Sequence, residues 1–390
     1  MNIDDLQAKV RDGGLLSPDA CVVAMLSGGR DSVCLLDVAV ALCGSEKVWA
    51  LHVNYGLRPD ADADEDHCRA LCAQMGVEVE VWRARREPGA GGNVHAWARD
   101  TRYTAAGELA DRMDTSIPAG GDPAGRHDVS IAAGREPARA HDAPIAAGAE
   151  MGGREPAWCH DASIAAGREP AGRTPALIAA GHTATDQVET ILYRLAASPG
   201  RRALLGMPAR DGRLVRPLLG VTREQTAAYC TERGLAWRED ASNDSPEYAR
   251  ARVRNLLLPA LDAVHPAARA NLLRTAELLR EETELLDALV DAELSGAGSI
   301  AVERLDGLAP ALARLVVIRL AEQAAGTYVP QAGERVGEII ALARRGGGEL
   351  HVGGLASAVI AGGELRMKRI EPRPQREARR IEPPPPHDAH

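Results

Sequence analysis

The chain has 390 residues, 45% of them hydrophobic, and a formal net charge of −9. That length and apolar content suffice for a sizeable core in two or three domains, and the acidic balance argues against indiscriminate coating of nucleic acid while leaving room for a local basic surface. No run approaches the roughly 18–20 consecutive apolar residues of a spanning helix, and the opening MNIDDLQAKVRDGG lacks the basic-then-apolar order of a secretory signal, so the expected location is the cytoplasm.

The predicted elements begin with a short apolar strand at 21–25 (CVVAM), a small polar cluster at 26–32, and VCLLDVAVALC, an apolar run too long for one strand. This order reads as strand, tight glycine loop, helix. A second strand follows at 48–54 (VWALHVN), then a helix over 64–75 ending at Gly76, then the alternating strand VEVEVWRA. Strands separated by helices of this length need crossover connections, which build a parallel sheet with helices on both faces. Residues 93–112 read as a helix capped by Asn93, with Trp97, Tyr103 and Leu109 among its apolar positions.

From 114 to 175 the pattern dissolves into Ala, Gly, Pro, Arg and Asp, with GREPA at Gly134, Gly153 and Gly167 and IAAG at Ile131, Ile145 and Ile164. The copies look like duplications of the strand start ALIAAG at 176–181, and they are too unevenly spaced and too poor in large apolar residues to stack as a solenoid. They are read as a disordered insertion. The pattern resumes with a strand at 177–181, a helix around 186–196, LVRPLLG from Leu214, and helices over 223–234 and 259–294. Residues 300–370 mix helices with a Gly-punctuated meander, ELHVGGLASAVIAGGELRMKR, ahead of a Pro-rich tail expected to be disordered.

Two compositional features are mute or restrictive. Only Lys9, Lys47 and Lys368 are lysines among 46 basic residues; a GC-rich coding sequence gives the same bias, so arginine abundance alone does not argue for phosphate binding. The seven cysteines are odd in number and form no C-x-x-C pair, which indicates neither a zinc knuckle nor a disulfide framework and makes reduced thiols the simplest reading.

Chemistry concentrates at three points. Ser27-Gly28-Gly29-Arg30-Asp31-Ser32 lies between a strand and a helix. Its two glycines let the backbone approach a ligand, its N–H groups point outward, and the helix N-terminus adds roughly half a positive charge, which together favour a pyrophosphate. The chain has no GK[S/T], so this is not a Walker loop; the plain alternative is a Ser-Gly-Gly turn with Asp31 at a helix start. His52, Asn54 and Arg58 stand in HVNYGLR at the carboxyl end of the second strand, where open α/β sheets bind ligands; taken alone, the segment is better read as an ordinary strand end whose His52 fills a pocket. In GHTATDQVET, Asp186 and Glu189 are three apart, so on a helix both share one face and can together hold a metal or an ammonium group. The alternative is an acidic helix start stabilised by its dipole.

In this order the segments resemble the SGGxDS signature of PP-loop ATP pyrophosphatases and the HVNHGLR and GHHxDDQxET motifs of the tRNA(Ile)-lysidine synthase family. AWARDTRY at 96–103, with Arg99 and Arg102, is similar to that family's AWARxxRY; LVRPLL at 214–219 carries Arg216; WREDASN at 237–243 and YARARVR at 248–254, with Arg250, Arg252 and Arg254, are similar to WxEDxSN and YxRNRIR. Tyr55, Thr183, Thr185 and Ala251 stand where that pattern has His, His, Asp and Asn. The three arginines would share a face on a strand and fan over more than half the circumference of a helix. The resemblance covers roughly 22–112 and 176–259.

The resemblance implies an α/β fold: a parallel-sheet PP-loop (adenine nucleotide alpha hydrolase-like) domain with a helical and small α/β C-terminal region. It assigns 1–256 to the catalytic domain, interrupted by the insertion 114–175, residues 257–369 to a substrate- or tRNA-binding region, and 370–390 to the tail. It implies a ligase that uses ATP and Mg²⁺ to join free L-lysine to carbon-2 of the wobble cytidine of a tRNA(Ile) with a CAU anticodon, through an adenylated tRNA. Ser27, Gly28, Gly29, Arg30, Asp31, Ser32 and His52 would hold ATP, and Asp31 and Asp186 the metal. Asp31, Asp186, Glu189, Arg99 and Arg250 are the catalytic candidates, and Asn54, Arg58, Arg102, Arg216, Arg252 and Arg254 those for tRNA or substrate. Between Arg194 and Arg254 there are 12 arginines against seven acids, a local basic excess suited to backbone contacts with RNA. The alternatives are a sister PP-loop enzyme performing tRNA thiolation or small-molecule amidation, and an ATP-dependent RNA-binding module without turnover. Oligomeric state is left open, a homodimer included.

Overall fold

A computed structural model describes residues 2–86, 93–116, 175–197, 200–239 and 249–370. The insertion expected over 114–175 and the tail over 370–390 fall outside these residues except at their edges. The chain divides into two compact units, Met1–Leu279 and Arg280–His390.

The first unit opens with α1 (Ile3–Asp12), which was not among the predicted elements although Ile3, Leu6 and Val10 recur at helical spacing. A reciprocal cap starts it: the Asp5 N–H donates to the Asn2 side chain and the Asn2 N–H donates to the Asp5 carboxylate. β1 (Val22–Met25) leads into α2 (Arg30–Cys43), and β2 (Val48–Asn54) into α3 (Ala61–Met75), which stops where Gly76 turns left-handed. There follow β3 (Glu78–Arg83), α4 (Val94–Ser116), β4 (Leu177–Ala179), α5 (Ala184–Ala197), the one-turn α6 (Arg201–Leu204), β5 (Arg210–Asp211), β6 (Leu214–Val215) and α7 (Arg223–Glu232). α8 (Ala249–Arg252), a π-helical turn over Val253–Leu257, α9 (Leu258–Val264) and the long α10 (Ala268–Leu294) come next, and the division between the units falls inside α10.

Six strands form one sheet in the order β3-β2-β1-β4-β6-β5, every neighbouring pair parallel except β5 with β6. Successive residues of a strand serve opposite faces. Val22, Ala24, Val48, Ala50, Leu177 and Ala179 pack with Leu35 and Leu36 of α2 and Tyr229 of α7. Val23, Met25, Leu51, Val53 and Ile178 pack instead with Tyr103, Ala106, Leu109 and Ala110 of α4. Covering both faces is what makes these strands apolar throughout, and each fully buried aliphatic side chain contributes about 1.5–3 kcal/mol. Since β1 has β2 on one side and β4 on the other, the chain reverses its direction of travel across the sheet there, and a crevice opens beyond the carboxyl ends of the strands. The loops leaving β2, β1 and β4 are the three segments singled out above.

In the second unit come β7 (Ser299–Ala301), α11 (Val302–Asp306), α12 (Pro310–Ala325), a 3-10 segment over Pro330–Arg335, α13 (Val336–Arg344), β8 (Gly348–Gly353), β9 (Ala356–Ala361) and β10 (Glu364–Arg369). They build an antiparallel sheet in the order β7-β10-β9-β8, over a core of Leu305, Val316, Val317, Leu320, Ile339, Val352 and Leu365. Gly362 and Gly363, at φ 58° and 80°, make the two-residue turn between β9 and β10, so the Gly-punctuated run is the meander its pattern predicts. Among the described residues no helix is long and apolar enough to cross a membrane.

Candidate active site

The loop after β1 is shaped by its own hydroxyls. Ser32 Oγ donates to the Gly29 carbonyl at 2.7 Å and accepts the Ser27 N–H at 3.2 Å, drawing the chain into a tight cradle that opens directly into α2. Gly28 has φ 81°, and a Cβ there would meet Cys68 Sγ at 3.2 Å, so both conformation and space require glycine. Gly29 occupies the N-cap position of α2 with no side-chain cap bond, which leaves helix-end N–H groups for an anion. The chain beyond α7 crosses this cradle: the Arg238 N–H donates to the Gly28 carbonyl at 2.9 Å. Beneath the loop, buried His52 bonds through Nδ1 to the Leu26 carbonyl at 2.9 Å. A carbonyl only accepts, so Nδ1 carries the proton, and burial pushes the imidazole pKa down and keeps it neutral.

The loop leaving β4, which leads to Asp186 in the first turn of α5, lies against Asp31 at the start of α2: a Cβ on Gly181 would stand 3.0 Å from the Asp31 carbonyl oxygen. Burial raises the Asp31 pKa most, a hydrogen bond from Thr226 opposes it, and the charge of Asp186 raises it further. Thr226 and Arg223 both come from α7. Thr226 Oγ1, fully buried, bonds to Asp31 Oδ1, and Arg223 Nε lies 3.4 Å from Asp31 Oδ2. Asp186 Oδ2 accepts from both the N–H and the hydroxyl of Thr183 at 2.8 Å. Burial pushes Asp186 up, but His182, these two bonds and Arg223 together hold its pKa below the ordinary carboxylate value.

Around His182 the field is basic. Burial drives its pKa down, Asp186 opposes that, and Arg216, Arg102 and Arg250 reinforce it. Arg216 is itself buried and donates to the Pro208 carbonyl at 2.8 Å. His182 Nδ1 and Arg102 Nε are buried without a hydrogen-bond partner among the described residues. Arg99 and Arg102 both lie over the Tyr103 ring, 4.8 Å and 5.6 Å from its centroid.

The carboxylates of Asp186 and Glu189, expected to share one ligand, have different partners. Glu189 is buried and takes a two-pronged bond from Arg254, Nε to Oε1 at 2.6 Å and Nη2 to Oε2 at 3.0 Å. One turn earlier, Arg250 donates to Thr190 at 3.2 Å. The arginine triplet is helical, so Arg250 and Arg254 face α5, while Arg252 is exposed. Gln187 clamps the Met207 backbone from both sides, at 2.7 and 2.9 Å.

The HVNYGLR residues build the turn after β2. Buried Asn54 donates to Asp62 at 2.9 Å and Glu65 at 3.0 Å and accepts the Gly56 N–H at 2.9 Å; Arg58 pairs with Asp64 at 3.0 Å. Tyr55, in place of the expected histidine, donates to the Ala98 carbonyl at 2.9 Å and packs edge-on against Trp97, tying the turn to α4. Thr185, in place of an aspartate, accepts the Arg223 N–H at 3.3 Å and so docks α7 onto α5. Arg223 and Thr226 were not singled out from sequence. The available signal was Thr222-Arg-Glu-Gln225, a capping box that fixes the first turn of α7.

Among the described residues no three or more His, Cys, Asp or Glu side chains form a metal cage. Two hard carboxylates beside a phosphate cradle nevertheless fit Mg²⁺, which takes one or two protein carboxylates and completes its shell with phosphate oxygens and water.

Residues 3–117 and 171–261 match the PP-loop domain family. The chain is 31% identical over 278 residues to the tRNA(Ile)-lysidine synthase of Pseudomonas fluorescens (strain Pf0-1), covering 70% of this chain and 48% of that protein. It is 47% identical over 144 residues to that of Salinispora arenicola (strain CNS-205), covering 35% and 43% respectively. It thus spans about half the length of the curated relatives it matches. A solved structure, the U34-tRNA thiolase NcsA from Methanococcus maripaludis, aligns with a TM-score of 0.47 at 14% identity, over 71% of this chain and 78% of that one. With more than half of its residues in the family match, and with the cradle, the crevice and α5 placed as described, the chain belongs to the PP-loop domain family.

Proposed function

We propose that this protein is an ATP-dependent ligase that joins free lysine to carbon-2 of the wobble cytidine of tRNA(Ile), giving lysidine, AMP and pyrophosphate. The observation that carries the reading is the close approach of the loop leading to Asp186 to the Asp31 and Ser32 backbone at the end of the Ser27–Ser32 cradle. In the first step the cytidine O2 attacks the α-phosphorus of ATP and pyrophosphate leaves; in the second the lysine ε-amine attacks carbon-2, and the oxygen departs with AMP. The cradle N–H groups hold the phosphates. Asp31 and Asp186 would hold Mg²⁺, which supplies charge neutralisation on the phosphate oxygens.

Free lysine is mostly ammonium at neutral pH, with an ordinary pKa of about 10.4, so it must be held and deprotonated before it attacks; an anionic Asp186 would attract the ammonium group. Glu189 contributes through Arg254, keeping α8 and Arg250 against α5. Arg99, Arg102 and Arg250 would supply the positive surface for the anticodon backbone or the developing charge, with the buried Arg216 adding to the field behind them, and Nδ1 of His182 and Nε of Arg102 are where a polar substrate group would bind.

The deciding experiment is AMP release with tRNA and lysine each supplied or withheld. Lysine incorporation that requires both ATP and tRNA supports the ligase. Adenylation of tRNA that lysine leaves unchanged would favour a sister enzyme, and no AMP under any combination would leave a binding module.

A further inference from the structure

We propose that Arg223 is a resident counter-ion of the Asp31–Asp186 pair, and that it makes the site accept its divalent metal as a metal–nucleotide complex rather than as a bare ion. The inference rests on the reading of Asp31 and Asp186 as metal ligands given above. Arg223 Nε lies 3.4 Å from Asp31 Oδ2, and its charge also acts on Asp186.

The backbone of Arg223 is fixed from several directions. Its N–H donates to Thr185 Oγ1 at 3.3 Å, its carbonyl accepts from Thr226 at 2.9 Å, and the Thr222–Gln225 box locks the turn. Deeper along the same helix pair, Tyr229 of α7 and Arg233, at its C-cap, both bond to the buried Asp37 of α2, at 2.6 and 2.9 Å. α7 is therefore laced to the helix that carries Asp31, and the guanidinium is presented to the carboxylates by a rigid support. Its side chain is 27% exposed, which leaves it room to serve a phosphate.

Two facing carboxylates repel, and a nearby cation relieves this. A divalent ion that arrives alone must share the Asp31 carboxylate with the guanidinium of Arg223 and with that of Arg30, whose Nε lies 3.7 Å from Oδ1. Like charges a few ångströms apart in a half-buried setting change a binding constant roughly tenfold or more. ATP reverses the balance, because phosphates bound at the N-terminus of α2, immediately before Asp31, offset the guanidinium and hydrogen-bond to it. Arg223 thereby selects against the bare cation and for the nucleotide, a specificity role distinct from ligating the metal.

The test uses the full chain and follows Mn²⁺ binding by the electron paramagnetic resonance of the free ion, alone and with α,β-methylene ATP. Wild type, Arg223→Gln, Arg223→Lys and Asp31→Asn are compared. Arg223→Gln is expected to bind bare Mn²⁺ about tenfold tighter and the nucleotide about tenfold more weakly than wild type, while Arg223→Lys, which keeps the charge, stays near wild type on both. An Arg223→Gln affinity for bare Mn²⁺ equal to or weaker than wild type overturns the proposal, as does a lysine variant that behaves like the glutamine one. If Mn²⁺ does not bind the wild type even with nucleotide, or binds Asp31→Asn equally well, the metal-ligand reading itself fails.

Discussion

Gly181, just past β4, lies against the backbone of Asp31: a Cβ in its place would stand 3.0 Å from the Asp31 carbonyl oxygen, 3.1 Å from its carbonyl carbon and 3.2 Å from the Ser32 nitrogen. Those atoms are backbone in the first turn of α2 and cannot swing aside. Gly181→Ala is expected to push the loop leading to Asp186 away from Asp31 by a few tenths of an ångström and to lower the rate of AMP formation several-fold, up to about tenfold, since a displacement of about 1 Å costs about a hundredfold. Gly76→Ala is the contrast, with φ 66° but nothing within 4 Å. It should cost about 1–2 kcal/mol of stability in urea unfolding and leave the rate near wild type.

Asp186 and Glu189 should fail differently when neutralised. Asp186→Asn is expected to abolish lysine incorporation with little loss of stability. Glu189→Gln leaves the Arg254 charge without its two-pronged partner and is expected to cost about 1.5–3 kcal/mol. A double-mutant cycle with Arg254→Met should recover part of that loss. Equal effects of Asp186→Asn and Glu189→Gln on both stability and lysine incorporation would mean that the two carboxylates act as one unit after all.

The Glu65 cluster makes a pH prediction with a definite sign. Burial pushes Glu65 up, but bonds from Arg83, Asn54 and Arg69 outweigh it and hold the pKa at about 2, below the usual 4.5. A depressed carboxylate contributes stability that is complete above its unfolded pKa and is lost as pH falls through the folded value. Wild type should therefore exceed Glu65→Gln in urea midpoint at pH 6, and the gap should narrow progressively between pH 4.5 and 2. A gap that is constant with pH would remove the charge argument.

Both margins of the insertion are fastened by Arg213. Its guanidinium bonds to Asp111, to Asp114 at 2.9 Å and to the Ala176 carbonyl at 2.9 Å, and the Ala176 N–H donates to Asp114 at 2.8 Å. Deleting 117–174 through a short Gly/Ser linker keeps this clasp and should preserve folding and lysine transfer, because loop length enters closure entropy only logarithmically. Deleting 114–175 also removes Asp114 and should lower the melting temperature by roughly 3–10 °C more. Binding of tRNA across a salt series checks the segment's role: a spacer leaves the slope unchanged, whereas weaker binding with a flatter slope identifies a phosphate-contacting arm.

The sequence by itself determined the alternation of strands and helices, the glycine cradle, and the placement of three motifs at strand ends, because periodicity and turn chemistry act over a few residues. It also determined the meander of the second unit through paired glycines. It did not determine which charges meet. Spacing put Asp186 and Glu189 on one helical face, yet their partners divide them, Thr183 just before the helix for one and Arg254, 65 residues on, for the other. Arg223 and Thr226 reach Asp31 from 192 and 195 residues away; no local pattern records that distance. The helical or extended state of the arginine triplet was likewise open, since alternate positions fit a strand and only packing of Arg250 and Arg254 against α5 selects the helix. Local sequence fixes what each side chain can offer, and the sheet order, by bringing β1 beside β4, decides which offers are met.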